Sequence, residues 1–307
     1  MPCKHAHQPV HLFKINSNQP YSQAGAIALQ KLRDYLKAVE PKMVRWLYDT
    51  WNAEAKAIKY QELRDAIIAG SLSLTYLKQW QQDYAYIVNT KLAPAWLEAM
   101  GAAANQLKEK YPEWVFDPNW PAVQKWVQEH GSDLVVNLTQ TQHDALRQVI
   151  NRAAFMGDFG PDELSRAIRP LVGMAPREAM AVLKYYESLR NNGMAIKQAQ
   201  HQVANYAGRV HRHRAMRIAR TELCFAYNRG IDEGIKQAQA QGYIGQVQKR
   251  WMTADDERVC EICGPLDGQV VSQDVEFYIL LPQKITGHHR LPPAHPHCRC
   301  TVIYEEI

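Results

Sequence analysis

Four of the six cysteines of this 307-residue chain lie close together near its C-terminal end, in a spacing that suits metal binding. Cys260 and Cys263 form a Cys-x-x-Cys pair. A second group follows after a long interval, in the order His295, His297, Cys298, Cys300. A Cys-x-x-Cys turn holds two thiolates at the separation that one tetrahedral ion requires, and Cys or His from a second group completes the shell at about 2.0–2.3 Å. The spacing therefore predicts one structural zinc ion.

Three other interpretations of these cysteines compete with zinc: a thioredoxin-like redox pair, a pair of disulfides, or unrelated buried thiols. A redox pair requires a βαβ context, and structural disulfides require a secreted chain. The sequence supports neither requirement. Because two separated metal-type groups arise by chance much less readily than one, the sequence favours the metal site.

The identity of the fourth ligand stays open at this stage. Three ligands are expected from the spacing alone: Cys260, Cys263 and Cys298. His295 lies three residues before Cys298, which is a knuckle-like spacing and favours it. Cys300 lies two residues after Cys298 and competes with His295 for the remaining place, but the spacing favours His295. His297 is also a candidate for the fourth ligand.

The elements that must position these ligands differ between the body of the chain and its end. Residues 1–22 contain three prolines and several polar residues, which predicts an extended arm. From about residue 23 to 242, apolar side chains recur at steps of three and four, which predicts helices throughout. Within this region the sequence predicts a helix boundary at Pro41 and a new helix that starts near Thr139.

Residues 243–307 change to an extended pattern. Short runs near Val247–Met252, Gly268–Ser272 and Thr301–Tyr304 are typical of β-strands. A β-rich module of this size buries too little apolar surface to hold itself firmly, so a metal cross-link explains why the cysteines are there. The fold class predicted is mainly α, with an elongated helical N-terminal and middle region and a small α+β C-terminal zinc-binding module.

A stripe of basic side chains follows one face of the last long helix. It consists of Arg209, Arg212, His213, Arg217 and Arg220. The stripe has two interpretations: a solvated helix face whose carboxylate partners come from other elements, or a contact surface for nucleic-acid phosphate or an acidic protein. Arginine suits bidentate contacts with either anion. The stripe alone does not decide between them.

Overall composition is ordinary for a globular protein, with 46% hydrophobic and 22% charged residues. The net charge of +5 is only mildly basic and does not by itself indicate nucleic-acid binding. The chain starts without an apolar signal-like segment, and no stretch approaches 18 apolar residues. We therefore expect a soluble protein without a membrane segment, made in the cytoplasm.

Several motifs follow one another in the last third of the chain. They are Arg220-Thr-Glu222 with Ala226, Asn228 and Gly230; Trp251-Met-Thr-Ala-Asp-Asp256-Glu-Arg258-Val-Cys260-x-x-Cys263; Leu266-Asp267-Gly268; and Pro293-Ala-His295-Pro-His-Cys298-Arg-Cys300. Together they resemble the motifs of the Mu F-type head morphogenesis, or minor capsid, proteins of tailed bacteriophages. The resemblance is strong over about residues 195–304, and residues 1–120 show no clear resemblance. The order of the motifs is specific, whereas a lone Arg-Thr-Glu would be weak.

This resemblance implies a protein that sits at the portal vertex in a few copies and acts in head assembly, and in some relatives in genome packaging or ejection. The implied partners are the portal protein and the major capsid or scaffolding protein, with packaged double-stranded DNA as a further candidate. The implied location is the virion, and the host cytoplasm during assembly. The predicted organisation is an arm at 1–22, a helical region at 23–130 that is a candidate for portal binding, a Mu F-like helical core at 131–242, and a zinc-knuckle module at 243–307.

Structural or supporting roles are expected for Glu222, Asn228, Asp256, Arg258 and Asp267. Glu222 is expected to accept hydrogen bonds from the zinc module or from basic neighbours, and Asn228 to lie in close packing. Asp256 and Arg258 precede the first cysteine pair and could orient it from outside the ligand shell. Asp267 with the following glycine fits a tight turn.

An enzyme is the main rival interpretation. Asp255, Asp256, Glu257, His288 and His289 could in principle join a zinc ion in activating water, as in a nuclease or other hydrolase. The sequence lacks His-Glu-x-x-His, Gly-x-Ser-x-Gly, a Gly-rich phosphate loop and the deaminase motif order. Up to five protein ligands predict a closed, structural site, so no catalytic residue is assigned. A stand-alone DNA-binding zinc protein would require a more basic chain.

Overall fold

The computed structural model describes residues 23–253, 259–281 and 284–307, with side chains described outside 279–288. The helices are α1 (Gln23–Ala57), α2 (Tyr60–Ala69), α3 (Thr75–Ile87), α4 (Ala93–Ala104), α5 (Pro121–Ala154), α6 (Pro161–Ile168), α7 (Pro176–Asn191) and α8 (Ile196–Ala240). The strands are β1 (Val247–Met252), β2 (Val270–Ser272), β3 (Phe277–Leu281), β4 (Lys284–His289) and β5 (Thr301–Glu306). The predicted fold class, mainly helical with a small β-rich C-terminal module, is confirmed.

Helix α8 is the central helix of the described fold. Its 45 residues correspond to a length of about 68 Å at the α-helical rise per residue. It packs most closely on α4 and α1, and also on α7. At the crossing with α4, a Cβ atom on Gly230 would lie 2.3 Å from the Cα atom of Met100, so only glycine permits this approach.

The predicted helix boundary at Pro41 is wrong, because α1 continues through this residue. Proline removes one helical hydrogen bond and crowds the preceding turn, a penalty of about 3 kcal/mol in a helix interior. Apolar residues on either side of it form one buried stripe, including Leu36 and Met43. Because this stripe packs along α8, tertiary burial outweighs the local effect of the proline.

The predicted helix start near Thr139 is also wrong. Helix α5 begins at Pro121 and continues to Ala154, so it also runs through residues 130 and 131, where the sequence suggested a division. The Thr139 hydroxyl donates to the carbonyl of Val135 at 2.7 Å, inside the helix, instead of capping a new one. Gly131 does not break α5, and its missing side chain makes room for Val88 and Trp96.

The tryptophans of the N-terminal half serve packing. Trp96 and Trp114 are fully buried, and Trp120 and Trp126 are partly buried against the same core. That core extends from α1 to the start of β1. No helix in the described ranges is long and apolar enough to cross a bilayer.

The C-terminal module consists of a three-stranded antiparallel sheet with the order β2-β1-β5 and a β3-β4 hairpin. Strand β1 pairs along its whole length with β5, from Val247 opposite Glu306 to Met252 opposite Thr301. Among the side chains of the module that the structure describes, the buried cluster contains seven: Trp251, Cys263, Leu266, Phe277, Cys298, Cys300 and Val302. Because three of these are cysteines, much of this small core depends on what the sulfur atoms bind.

Candidate metal centre and arginine-rich helix

Two tight turns bring the predicted ligands together. In the first, the amide of Gly264 donates to the carbonyl of Cys260 at 2.9 Å, and a 3-10 turn follows Cys263. In the second, the amide of Cys298 donates to the carbonyl of His295 at 3.2 Å. Both turns are local, so the spacing within each motif is enough to form them.

Across these turns the donor atoms form two overlapping groups that share Cys263. The His295 Nε2 atom lies 3.0 Å from the sulfur of Cys260 and 3.1 Å from that of Cys263. The sulfur atoms of Cys263 and Cys298 are 3.7 Å apart. Cys300 joins Cys263 and Cys298 in the second group, within 4.8 Å. These five side chains could hold a metal ion.

The separation of the two sulfur atoms fits a tetrahedral ion. Sulfur ligands at 2.3 Å from one ion lie about 3.8 Å apart, close to the distance between Cys263 and Cys298. The nitrogen-to-sulfur distances are shorter by about half an ångström than the roughly 3.5 Å of such a site, so the His295 ring must move outward when an ion enters. The Nδ1 atom of His295 lies 2.8 Å from the carbonyl of Pro296. With the proton on Nδ1, this hydrogen bond leaves the Nε2 lone pair directed at the sulfur atoms, as metal-binding histidines require.

Electrostatics also prepares one thiolate in the cluster. Hydrogen bonds from the Cys263 and Cys300 thiols lower the pKa of Cys298. Hydrogen bonding to Cys298 correspondingly raises the pKa of Cys263. Because only thiolates bind metal firmly, the remaining protons must leave when an ion enters.

His297 lies outside both donor groups of the described residues. Its backbone has a left-handed conformation with φ of 65°, and its amide donates to the Thr221 hydroxyl at 3.2 Å. Its ring faces that of His213, with centroids 5.5 Å apart. Burial, with a further contribution from Arg220, lowers the pKa of His297 to about 4. The structure therefore directs this side chain toward α8 and away from the sulfur cluster.

Asn228 on α8 joins the helix to the ligand-bearing segment, and it is wholly buried. Its amide nitrogen donates to the carbonyls of Cys224 at 2.9 Å and Cys300 at 3.3 Å. Its oxygen accepts from the hydroxyl of Thr301 at 3.0 Å and the amide of Val302 at 3.1 Å. All four capacities of one side chain are used, so the start of β5 has a fixed position on α8.

The arginine stripe divides into two parts in the structure. Arg217 lies 2.6 Å from Glu178 of α7, and Arg220 contacts both oxygens of Glu40 of α1 at 2.9 Å. These two arginines thus have carboxylate partners from other helices. Three members of the stripe remain exposed: Arg209, Arg212 and His213. Among the described residues no carboxylate forms an ion pair with these three.

The remaining predicted residues differ in outcome. Glu222 is buried and its carboxylate lies 2.6 Å from His130 Nε2 of α5, so its partner is a basic neighbour and not the C-terminal module. Asp267 accepts a hydrogen bond from the amide of Thr253 at 2.9 Å, in the turn after the first knuckle. Two others, Asp256 and Arg258, lie outside the described residues.

The residues considered for the rival enzyme are largely outside the described part of the chain. This applies to Asp255, Asp256 and Glu257, and to the side chain of His288. The ring of His289 is described and lies 6.4 Å from that of Trp251. It does not belong to either donor group found in the described ranges.

Two buried polar residues near the module were not singled out from the sequence. Cys224 lies on α8, where its thiol contacts the carbonyl of Cys300 at 3.5 Å. Lys249 of β1 is fully buried, donates to the carbonyl of Arg290 at 2.9 Å, and has its pKa lowered to about 8 by burial. A lysine in an alternating strand gives no local signal of burial, whereas Cys224 could have been noticed as a fifth cysteine.

The fold and the site define a class: a helical protein whose longest helix carries a small sheet, with a Cys/His cluster suited to a metal ion. The chain belongs to the family described as Phage Mu protein F like protein, whose family model matches residues 146–303, slightly more than half of the chain. The match begins within α5 and ends within β5. It thus includes the arginine-rich helix and all five candidate ligands. The chain is therefore a phage head morphogenesis protein. Neither a comparison with curated proteins nor one with solved structures gives a match.

Proposed function

We propose that this chain is a minor capsid protein of a tailed phage or prophage, bound at the portal vertex, where it acts in head assembly and in genome packaging or ejection. The observation that carries the proposal is the way the module is fastened to α8. The Cys/His cluster and Asn228 both hold the segment that leads into β5. The region that the family model matches therefore has a fixed surface for contacts with other head proteins.

The proposed ion is structural zinc. Three of its ligands are Cys260, Cys263 and Cys298, and the fourth is His295 or Cys300. The donors found among the described residues are sulfur and imidazole, which suit zinc rather than magnesium or calcium. Bound there, zinc links the Cys260-x-x-Cys263 turn, the first knuckle, to the turn that carries His295 and Cys298, the second knuckle.

The role proposed for this site is structural and not catalytic. A catalytic zinc site keeps one coordination position open for water, whereas a structural site is closed by protein ligands. Here the described residues supply two groups of three donors that share Cys263, five donors in all, and a tetrahedral ion needs four protein ligands to be closed. The rival function is a zinc-dependent hydrolase, and a rate of nucleic-acid cleavage that depends on His289 would favour it.

The proposed partners are the portal protein and a major capsid or scaffolding protein, with packaged duplex DNA as a further candidate. The exposed residues Arg209, Arg212 and His213 provide the anionic partner's contact. If the partner is DNA, log affinity falls with log salt at a slope of about −0.9 for each neutralised phosphate. Changing Arg209 and Arg212 together to Gln then flattens that slope by about two units. A protein partner gives a weaker response to salt.

Co-assembly tests the proposal directly. The chain is co-expressed with its cognate portal, scaffold and capsid proteins, and its content in purified procapsids is measured. We expect wild type and Cys224→Ser to enter procapsids, because Cys224 is buried but belongs to neither donor group. Cys263→Ser, which removes the shared ligand, is expected to fail. Exclusion of the folded wild-type chain from procapsids contradicts the proposed function.

A further inference from the structure

A groove of about 490 Å³ lies between α5, α8 and the segment that leads to the second knuckle. Trp126 of α5 forms one wall. Thr221, Phe225 and Arg229, on successive turns of α8, form the floor. The opposite wall is the proline-rich segment 289–296. The groove therefore joins the helical body to the metal-binding module.

The lining of the groove is apolar at its centre and cationic at its edge. Arg229 and Arg290 contribute charge, and His289 and His295 contribute imidazoles. No described acidic side chain lines it. Arg290 forms an ion pair with Asp274 at 3.0 Å, but both side chains are substantially exposed, so the pair is weak and a ligand carboxylate can compete for the guanidinium.

The aromatic wall is held in place before any ligand arrives. The Trp126 ring stacks on His130 with centroids 4.4 Å apart and ring planes 12° apart. His130 in turn contacts buried Glu222. Phe225 lies against the same imidazole, at 5.5 Å. A rigid, partly exposed tryptophan beside arginine is typical of a binding hot spot, and its fixed geometry reduces the entropy lost on binding.

We propose that this groove binds an extended segment of a head-assembly partner protein, in which an aromatic or large aliphatic side chain is flanked by carboxylates. The inference rests on the proposed function, and it specifies the contact surface and the chemistry of the partner. The apolar side chain enters between Trp126 and the proline wall, and one flanking carboxylate pairs with Arg290. The other approaches the edge of Arg229, whose guanidinium also forms an ion pair with buried Glu233 at 2.9 Å. Duplex DNA fits less well, because the floor and proline wall are apolar and offer few phosphate contacts.

The groove depends on the metal cluster. Its proline wall includes His295, whose imidazole belongs to the first donor group. The next anchor is the hydrogen bond from the His297 amide to Thr221, which is itself a floor residue. Loss of the ion therefore releases this wall, while α5 and α8 keep the rest of the groove.

The test begins with selection from a displayed library of random peptides on the full-length chain, with a Phe225→Ala, Arg290→Gln double variant for counter-selection. The expected enriched peptides carry Asp or Glu on both sides of an aromatic or aliphatic residue. A synthetic enriched peptide then serves as the probe in fluorescence anisotropy. Each single change, Phe225→Ala or Arg290→Gln, is expected to weaken its affinity about tenfold, and chelation to abolish binding.

Matched controls are Phe155→Ala and Arg147→Gln, at exposed positions outside the groove, which should leave the affinity unchanged. Circular dichroism and metal content establish that each variant is folded. The proposal is overturned if no enriched peptide depends on the groove, or if enriched peptides lack carboxylates. It is also overturned if duplex DNA displaces the probe, or if binding appears only after residues 1–22 are deleted. Incorporation of the same variants into procapsids separates the two proposals: normal incorporation with a failed groove test refutes this surface alone.

Discussion

The junction between α8 and β5 yields the sharpest prediction, through the substitution Asn228→Ala. The wild-type amide makes four hydrogen bonds at a position without solvent exposure. Alanine leaves the Val302 amide and the Thr301 hydroxyl without this partner. Each buried group left unsatisfied is destabilising by about 1–3 kcal/mol. Two such groups give an expected loss of about 2–6 kcal/mol.

The assay is urea unfolding of the metal-loaded chain, followed by circular dichroism and tryptophan fluorescence. In a separate thermal unfolding experiment, the same loss of stability lowers Tm by about 5–20 °C, because a large domain loses about 2–4 °C for each kcal/mol. Asn137→Ala is the matched control, because Asn137 is exposed on α5 and should change stability by less than about 0.5 kcal/mol. Equal effects of the two substitutions would refute the role assigned to Asn228.

Two further predictions concern the helical body. Burial raises the pKa of Glu54 to about 8, so the folded chain holds a proton that the unfolded chain releases above about pH 4.5. Stability should then fall as pH rises from about 4.5 to 8, by up to about 1.4 kcal/mol per pH unit, and urea midpoints measured from pH 5 to 9 should show a flatter profile for Glu54→Gln. Gly230→Ala places a Cβ atom 2.3 Å from Met100 Cα and should destabilise the chain by about 3 kcal/mol or more in thermal unfolding. Gly157→Ala, where no atom lies within 4 Å, should be close to neutral in the same measurement.

The Cys/His cluster was the most predictable part of the molecule, because local spacing along the chain brings the members of each motif together. Cys260 and Cys263 must lie near each other for any chain that turns between them, and the same holds for His295 and Cys298. If both motifs bind the same ion, its four coordination positions require the two turns to lie together. What the spacing could not give is the sharing of Cys263 between two donor groups, since that depends on how the turns face each other.

Long-range packing limited the rest of the sequence analysis. A proline normally ends a helix, and only the continuous contact of α1 with α8 keeps Pro41 inside one. The helical period of the sequence predicts the basic stripe. It does not predict which members of the stripe have carboxylate partners and which stay exposed. Glu40, the partner of Arg220, lies 180 residues away in sequence, so its carboxylate is assigned to that arginine only by the fold.

The groove was hidden for the same reason. Trp126 and Phe225 lie on different helices, and the proline-rich segment reaches them only once the metal module has folded onto α8. Trp126 packs partly against the core. The exposed part of its ring forms a candidate binding surface only together with Arg229 and the proline wall.

The most direct test of the central claim is native mass spectrometry of the full-length chain, purified without chelators, combined with zinc X-ray absorption. The account predicts one zinc per chain, with a shell of three sulfurs and one nitrogen or of four sulfurs. Removal of the ion should unfold the 243–307 region while most of the helical circular dichroism remains. A metal-free chain with its cysteines paired as disulfides would contradict the account.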